Sequence, residues 1–392
     1  MKVEREVPLS ECCEVVSGGT PKTGVASYWH GEIPWATPKD LGSLSGKYIS
    51  ETPRKITQEG LDSCGATLLP AGSVLFSSRA PIGHVAVNAI SMATNQGFKS
   101  FIPKPDYLDA SYLYHWLRAS RPYLESLGNG ATFKEISKST VGKVKIPLPS
   151  IDDQRKVARV LDRVDELCAK RCEAIDLLDE LAQSIFLDMF GDPVVNSREL
   201  PTLPMSEIGK ITTGSTPPRS NPRNYGNSIE WIKSDNIDNS SVYLTSAAER
   251  LSEDGAKIAR IVDPGSILVT CIAGSTAAIG SSAIANRRVS FNQQINAITP
   301  FNADSLFLYY QLRLAKPLIL EKVTGGVKFL VSKSRFGSVV LLNPPHAEQR
   351  EFSKRAGLVL GLQDMNRAHL AELRSLFSSL QHSAFRKELL PA

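Results

Sequence analysis

DDQRKVARVLDRVDELCAKRCEAIDLLDELAQSIFLDMF, Asp152–Phe190, decides the fold. Within it Val157, Leu161, Val164, Cys168, Ile175, Leu178, Ala182, Ile185 and Met189 recur at alternating threes and fours, with only Arg171 off-type. That spacing lays an apolar stripe along one side of a long helix, and such a stripe needs a partner helix. Pro147, Pro149 and Ser150 precede the run, Asp152 and Asp153 suit its positive end, and Gly191-Asp192-Pro193 breaks it. Adding 195 to each stripe position gives Phe352, Ala356, Val359, Gln363, Leu370, Leu373, Phe377, Leu380 and Ala384, with Asn366 opposite Arg171. A second long helix is therefore expected from about His346 to Glu388. The expected helix-pair interface is Val157, Leu161, Val164, Ile175, Leu178 and Ile185 against Phe352, Val359, Leu370, Leu373, Phe377 and Leu380.

The repeat extends outward from the helices. SGGTP at Ser17–Pro21 meets TGSTP at Thr213–Pro217, and Ile33 and Trp35 meet Ile229 and Trp231. PAGSVL (Pro70–Leu75) meets DPGSIL (Asp263–Leu268), Asn95-Gln96 meets Asn292-Gln293, and ISKS (Ile136–Ser139) meets VSKS (Val331–Ser334). The matches keep their order, so the 392 residues are two copies of one domain, not a solenoid. Each copy opens with a Gly-, Pro-, Ser- and Thr-rich part whose short apolar runs, such as SVLFSS and SILVTCIA, read as strands. One shorter helix is expected per copy, near Ala110–Ser120 and Asp304–Ala315. The expected class is α+β, with two globular domains, 1–150 and 193–345, and two spacer helices, 151–192 and 346–392. Two copies of a domain-plus-helix unit close most easily about a pseudo-two-fold axis, which makes the long helices antiparallel over roughly 60 Å.

The net charge of +5 is an average. Residues 1–150 carry +3, 151–192 carry −5, 193–345 carry +5 and 346–392 carry +2. Two basic domains suit a polyanion. Lys39, Arg79, Lys99, Lys134 and Lys138 in the first copy lie in polar or turn-like segments, as do Arg219, Arg223, Lys233, Lys328 and Lys333 in the second. Such side chains contact phosphates or, for arginine, guanine, while Gln96 and Asn236 have the chemistry to read adenine. Six scattered cysteines without a CxxC pair imply reduced thiols, no metal site and a cytoplasmic protein. No apolar run approaches the roughly 20 residues of a membrane span, and no apolar segment of a secretory leader is evident.

Catalytic signatures fail on inspection. GSLSGKY, Gly42–Tyr48, is one residue short of a phosphate-cradling loop and lacks its hydroxyl. Asn343-Pro344-Pro345-His346 is similar to the NPPY turn of amino-methyltransferases but lacks the aromatic fourth residue, and no glycine-rich turn for S-adenosylmethionine precedes it. A self-contained methyltransferase and a coiled-coil assembly protein without a DNA role are the alternative expectations; neither a cofactor nor a catalytic residue is expected.

IPWATPKDL (Ile33–Leu41) with its echo IEWIKSDNI (Ile229–Ile237), NQG with NQQ, GATFKEISKSTVGKVKIPLPSIDDQRKVARVLDRVDEL (Gly130–Leu167) and SIFLDMFGDP (Ser184–Pro193) carry a family likeness. Together they resemble the specificity subunit of type I restriction–modification systems, over essentially the whole chain. The resemblance implies two target recognition domains, each reading one half of an asymmetric, split sequence in double-stranded DNA. It implies that the helix pair sets the gap and docks two methyltransferase (modification) subunits, with motor-nuclease (restriction) subunits joining the complex. Chemistry would then belong to those partners.

Overall fold

The computed structural model describes residues 5–130, 134–238, 241–325 and 329–385. The chain forms two compact units, Met1–Glu173 with Asn366–Ala392, and Ala174–Met365. Each globular part therefore groups with half of each long helix, whereas the sequence boundaries at 150, 192 and 345 set the helices apart as spacers. The first long helix spans Ile151–Phe190 and the second His346–Phe385. The last residues expected in the second, Arg386–Glu388, lie outside the described ones.

In the first unit a five-stranded sheet has the order Cys13–Ser17, Lys99–Pro103, Val74–Phe76, Val85–Asn88, Tyr48–Ile49. A smaller sheet pairs Trp29–Ala36 with Lys55–Ile56 and, in parallel, with Ala93–Thr94. The second unit repeats this plan. Gly209–Thr213, Ile295–Pro300, Ile267–Thr270 and Ser282–Ile284 form one sheet, and Tyr225–Ile232 pairs with Arg250–Leu251 and, in parallel, with Val289–Phe291. Even irregularities are copied, since the register slips between Trp29 and Ile33 and again between Tyr225 and Ile229. The shorter helices, Ala110–Ala119 and Ser305–Leu314, start on Asp109 and Asp304, whose carboxylates accept first-turn backbone N–H groups. Gln154 and Gln349 then tie each long helix to its unit, their Oε1 accepting from the backbone N–H of Asp109 and Asp304 at 3.0 Å.

Both units pair the helices antiparallel. In the first, Arg171 Nη1 donates to Asn366 Oδ1 at 3.0 Å, while Ala384 packs in one core with Val157, Ala158 and Leu161. Two polar stripe positions thus satisfy each other. In the second, Phe186 meets Phe352 with ring centroids 5.4 Å apart, and Gln363 Nε2 donates to the Ile175 carbonyl at 3.2 Å. Of the expected interface residues, Val157, Leu161, Val164, Phe352, Val359 and Leu370 are buried, and Ile175, Leu178, Ile185, Leu373, Phe377 and Leu380 are half-buried. Past Ala182 the buried positions advance by fours, to Phe186 and Phe190. A strict 3.5-residue repeat loses the face there because the helix also packs on its globular part, which broadens the buried arc.

Three aspartates of the first helix bind cations of the globular parts. In the first unit Asp162 accepts from Lys47 Nζ at 2.7 Å and from His115 Nε2 at 2.7 Å, and Asp165 accepts from Arg118 at 2.7 Å. In the second unit Asp179 accepts both terminal nitrogens of Arg313, at 2.7 and 3.0 Å. Burial alone would raise the Asp162 carboxyl, but the bonds from His115 and Lys47 outweigh it and hold it below the ordinary aspartate value. A carboxylate only accepts, so Nε2 of fully buried His115 carries the proton, and burial depresses the imidazole against the pull of Asp162.

A depressed histidine stabilises the fold above its unfolded value of about 6.5, and that contribution is lost as pH falls toward the folded value. Denaturation at pH 7 and pH 5.5 is expected to show a loss of up to about 1.4 kcal/mol per pH unit from this group. His115→Gln, which keeps a donor for Asp162 but does not titrate, should flatten the slope; an unchanged slope refutes the assignment.

No helix among the described residues is long and apolar enough to cross a membrane. All six cysteines are unbridged.

Candidate nucleic-acid interface

Each unit gathers four loop segments into one polar patch. In the first unit these are 18–20, 78–79, 95–97 and 134–138. The Gly19 amide donates to the Thr94 carbonyl at 2.9 Å, and Thr20 Oγ1 donates to Gln96 Oε1. Ser78 N donates to the Gly97 carbonyl at 2.8 Å, and Ile136 N to the Ser78 carbonyl at 3.0 Å. Trp35 closes the patch from behind, its indole donating to the Gly19 carbonyl at 3.0 Å. The second unit repeats the design. Thr216 Oγ1 donates to Gln293 Oε1, Cys271 N to the Gln294 carbonyl, Val331 N to the Cys271 carbonyl, and the Trp231 indole to the Ser215 carbonyl.

Glycine is required at the seam for close approach, not for unusual torsion angles. A Cβ on Gly18 would lie 2.0 Å from the Asn95 carbonyl oxygen, and one on Gly214 would lie 2.0 Å from that of Asn292. Gly18→Ala is expected to displace the GGT loop from the Gln96 loop and cost about 1–3 kcal/mol. Thermal denaturation checks it; an unshifted melting temperature refutes the seam.

The fold brings most first-copy candidates to this patch. Gln96 is exposed beside Thr20, and Lys134 and Lys138 are exposed on the last segment. Arg79 Nη1 lies 3.5 Å from Glu135 Oε2, and buried Lys99 reaches Glu135 Oε1 at 3.3 Å. Lys39 is exposed on the short helix Pro38–Gly42, whose proline ring borders Gly97.

In the second copy Lys333 occupies the Lys138 place and is exposed. Arg219 and Lys233 converge on Glu249, which holds its carboxyl below the ordinary glutamate value, Lys233 contributing most. Both cations also cap the Trp231 ring, at 5.3 Å from its centroid. Arg223 is exposed, away from these contacts.

Asn236 is used by the fold instead. It is buried, its Oδ1 accepts from Lys233 N at 3.0 Å, and its Nδ2 donates to the Ser246 carbonyl at 3.1 Å. It repeats Asp40, which caps the Thr37 amide. Lys328 lies outside the described residues. Sequence reasoning missed Thr20, Glu135 and Gln293. Gln293 was recoverable from the NQ echo, whereas the Thr20 and Glu135 contacts join residues 76 and 56 positions apart.

Residues 2–177 and 201–355 match the family model described as the type I restriction modification DNA specificity domain. The type I restriction enzyme MjaIX specificity subunit of Methanocaldococcus jannaschii is 36% identical over 228 residues, 54% of this chain and 52% of that protein. The EcoR124I/EcoR124II specificity subunit of Escherichia coli is 29% identical over 182 residues, 45% of this chain and 44% of that protein. The chain thus spans about half the length of the curated relatives it matches. Among solved structures, the type I restriction–modification S subunit from M. genitalium aligns with a TM-score of 0.60 at 14% identity, over 97% of this chain and 96% of that one. A chain from a structure of type I R-M system assembly aligns at 0.58 and 21% identity, over 98% of both. At such identities the structural likeness bears on the fold alone.

Proposed function

Because the chain belongs to the type I restriction modification DNA specificity family, we propose that it is the DNA-recognition subunit of a type I restriction–modification complex in the cytoplasm. Each globular part, 1–150 and 193–345, reads one half of a split, asymmetric target. The helices 151–192 and 346–392 set the gap between the halves. Two methyltransferase subunits dock on the helices, with restriction subunits joining through the complex, and those partners carry out the chemistry.

The observation that carries this reading is the duplicated patch. It holds one backbone frame with exposed polar and basic groups in both units and different side chains around them. The repeated lysine, Lys138 in one copy and Lys333 in the other, suits a phosphate, which positions a protein without reading sequence, and differing neighbours suit two unlike half-sites. Docking is supported by large apolar side chains left on the helices outside the paired stripe. Leu177, Leu358 and Met365 are 57%, 70% and 53% exposed, a cost in water that a partner helix would relieve.

Co-expression with the partner methyltransferase subunits and sequencing of the methylated genome tests it. One split motif is expected, with affinity of the assembled complex falling steeply as salt rises. Exchanging residues 1–150 for those of a relative should change one half of the motif and leave the other half and the gap alone. A change in both halves, or in neither, overturns the reading.

A further inference from the structure

A protein that duplicates a recognition domain holds two aligned answers to one question, and comparing them separates anchoring positions from reading positions. In the first unit, Arg79 and Glu135 face each other across a β-bridge, and Asn129 bridges Glu135 as well. In the second, Ile272 pairs with Leu330 in the same way, and Thr324 bridges Leu330 as well. The hydrogen bonds are copied while the side chains change from an ion pair to an aliphatic pair. Neither pair is required by its own core. Arg79 and Glu135 have side chains 34% and 38% exposed, and Leu330 is 37% exposed. Next to them the glutamine and lysine positions are unchanged between the copies, as Gln96 and Gln293 and as Lys138 and Lys333.

We infer that this bridge is a base-reading position in both units, Arg79 taking a guanine in one half-site and Leu330, backed by Ile272, taking the methyl group of a thymine in the other. The inference rests on the DNA-recognition reading above. Guanine offers O6 and N7 as paired acceptors that a guanidinium fork matches, and the thymine methyl is an apolar feature of the major groove. Glu135 is the positioning residue. Its other oxygen is held by Lys99, whose side chain is only 11% exposed, so Glu135 stays fixed and aims the guanidinium. At 3.5 Å through Nη1 and one-third exposed, the Arg79–Glu135 pair is loose enough for the guanidinium to turn its fork to guanine while Glu135 stays beside it.

The test uses the full chain assembled with its methyltransferase partners and duplexes carrying the motif found by methylome sequencing. Guanines in the half-site of residues 1–150 are replaced singly by 7-deazaguanine, which lacks N7, and thymines in the other half-site by deoxyuridine, which lacks the methyl group. One 7-deazaguanine is expected to weaken binding about tenfold or more, and one deoxyuridine a few-fold. Arg79→Ala should bind normal and 7-deazaguanine duplexes alike, and Arg79→Lys should keep overall DNA affinity while losing discrimination at that guanine. Leu330→Ala should be indifferent to deoxyuridine. Melting curves on each variant establish that it is folded. Variants that keep wild-type sensitivity at every base, or half-sites without a sensitive guanine and thymine, overturn the inference while leaving the split-target reading intact. A complex that methylates no split motif overturns both.

Discussion

Phe352→Ala is expected to destabilise the chain by about 3–5 kcal/mol, the cost of emptying a fully packed aromatic site. Phe352 is fully buried in the second unit, with ring centroids 5.4 Å from Phe186, 5.5 Å from Tyr310, 6.0 Å from Phe190 and 6.3 Å from Phe307. All four contacts are edge-to-face, which adds to simple area burial. Against a typical total of about 5–15 kcal/mol, one substitution removes a large share. The repeat supplies an internal control, because Val157 holds the same stripe position in the first unit and is also buried. Val157→Ala deletes only two carbons and should cost about 2 kcal/mol. Denaturant titration of both variants checks the contrast; equal losses would mean that the aromatic cluster adds nothing to the helix contact.

The same cluster shows what the sequence could reveal. Long-range order came through wherever it was written as periodicity or repetition. The stripe foretold both helices, the in-order echoes foretold the duplicated sheets, and Arg171 and Asn366, set opposite each other by the repeat, face each other. What stayed hidden depends on encounters between distant residues. The parallel pairing of Trp35 with Ala93 and of Trp231 with Ser290 has no local signature. Phe186 was passed over for Ile185 because a helix buried on two sides does not keep a coiled-coil period. The capping role of Asn236 appears only once Thr37 and Asp40 are seen to share it. Asp162, Asp165 and Asp179 of the acidic first helix are bonded to cations of the chain's own globular parts, pairings that no local pattern announces. The patch was legible as residue types but not as a place, since its segments are joined by hydrogen bonds between residues as far apart in sequence as Thr20 and Gln96 or Thr216 and Gln293.

Lengthening both helices together is expected to widen the gap in the recognised DNA without changing either half-site. The antiparallel pairing dictates how to do it. Arg171 lies against Asn366, and Ile175 against Gln363, so an insertion after Ala174 needs a matching one near Gln363. Four residues on one helix would add about 6 Å but leave the partner short and turn the stripe by about 40°. Seven residues on each helix keep the stripe nearly in register, about 20° off, and add about 10.5 Å. That length corresponds to about three base pairs at 3.4 Å each. If the helix pair is the ruler, methylome sequencing of the paired variant returns the original half-sites with a gap about three base pairs longer. A folded, methylating variant that keeps the original gap assigns the spacing to the globular parts. The single-helix insertion is the companion measurement: with Leu178 and Ile185 rotated off the partner stripe, it should lower the melting temperature, whereas the paired insertion should not.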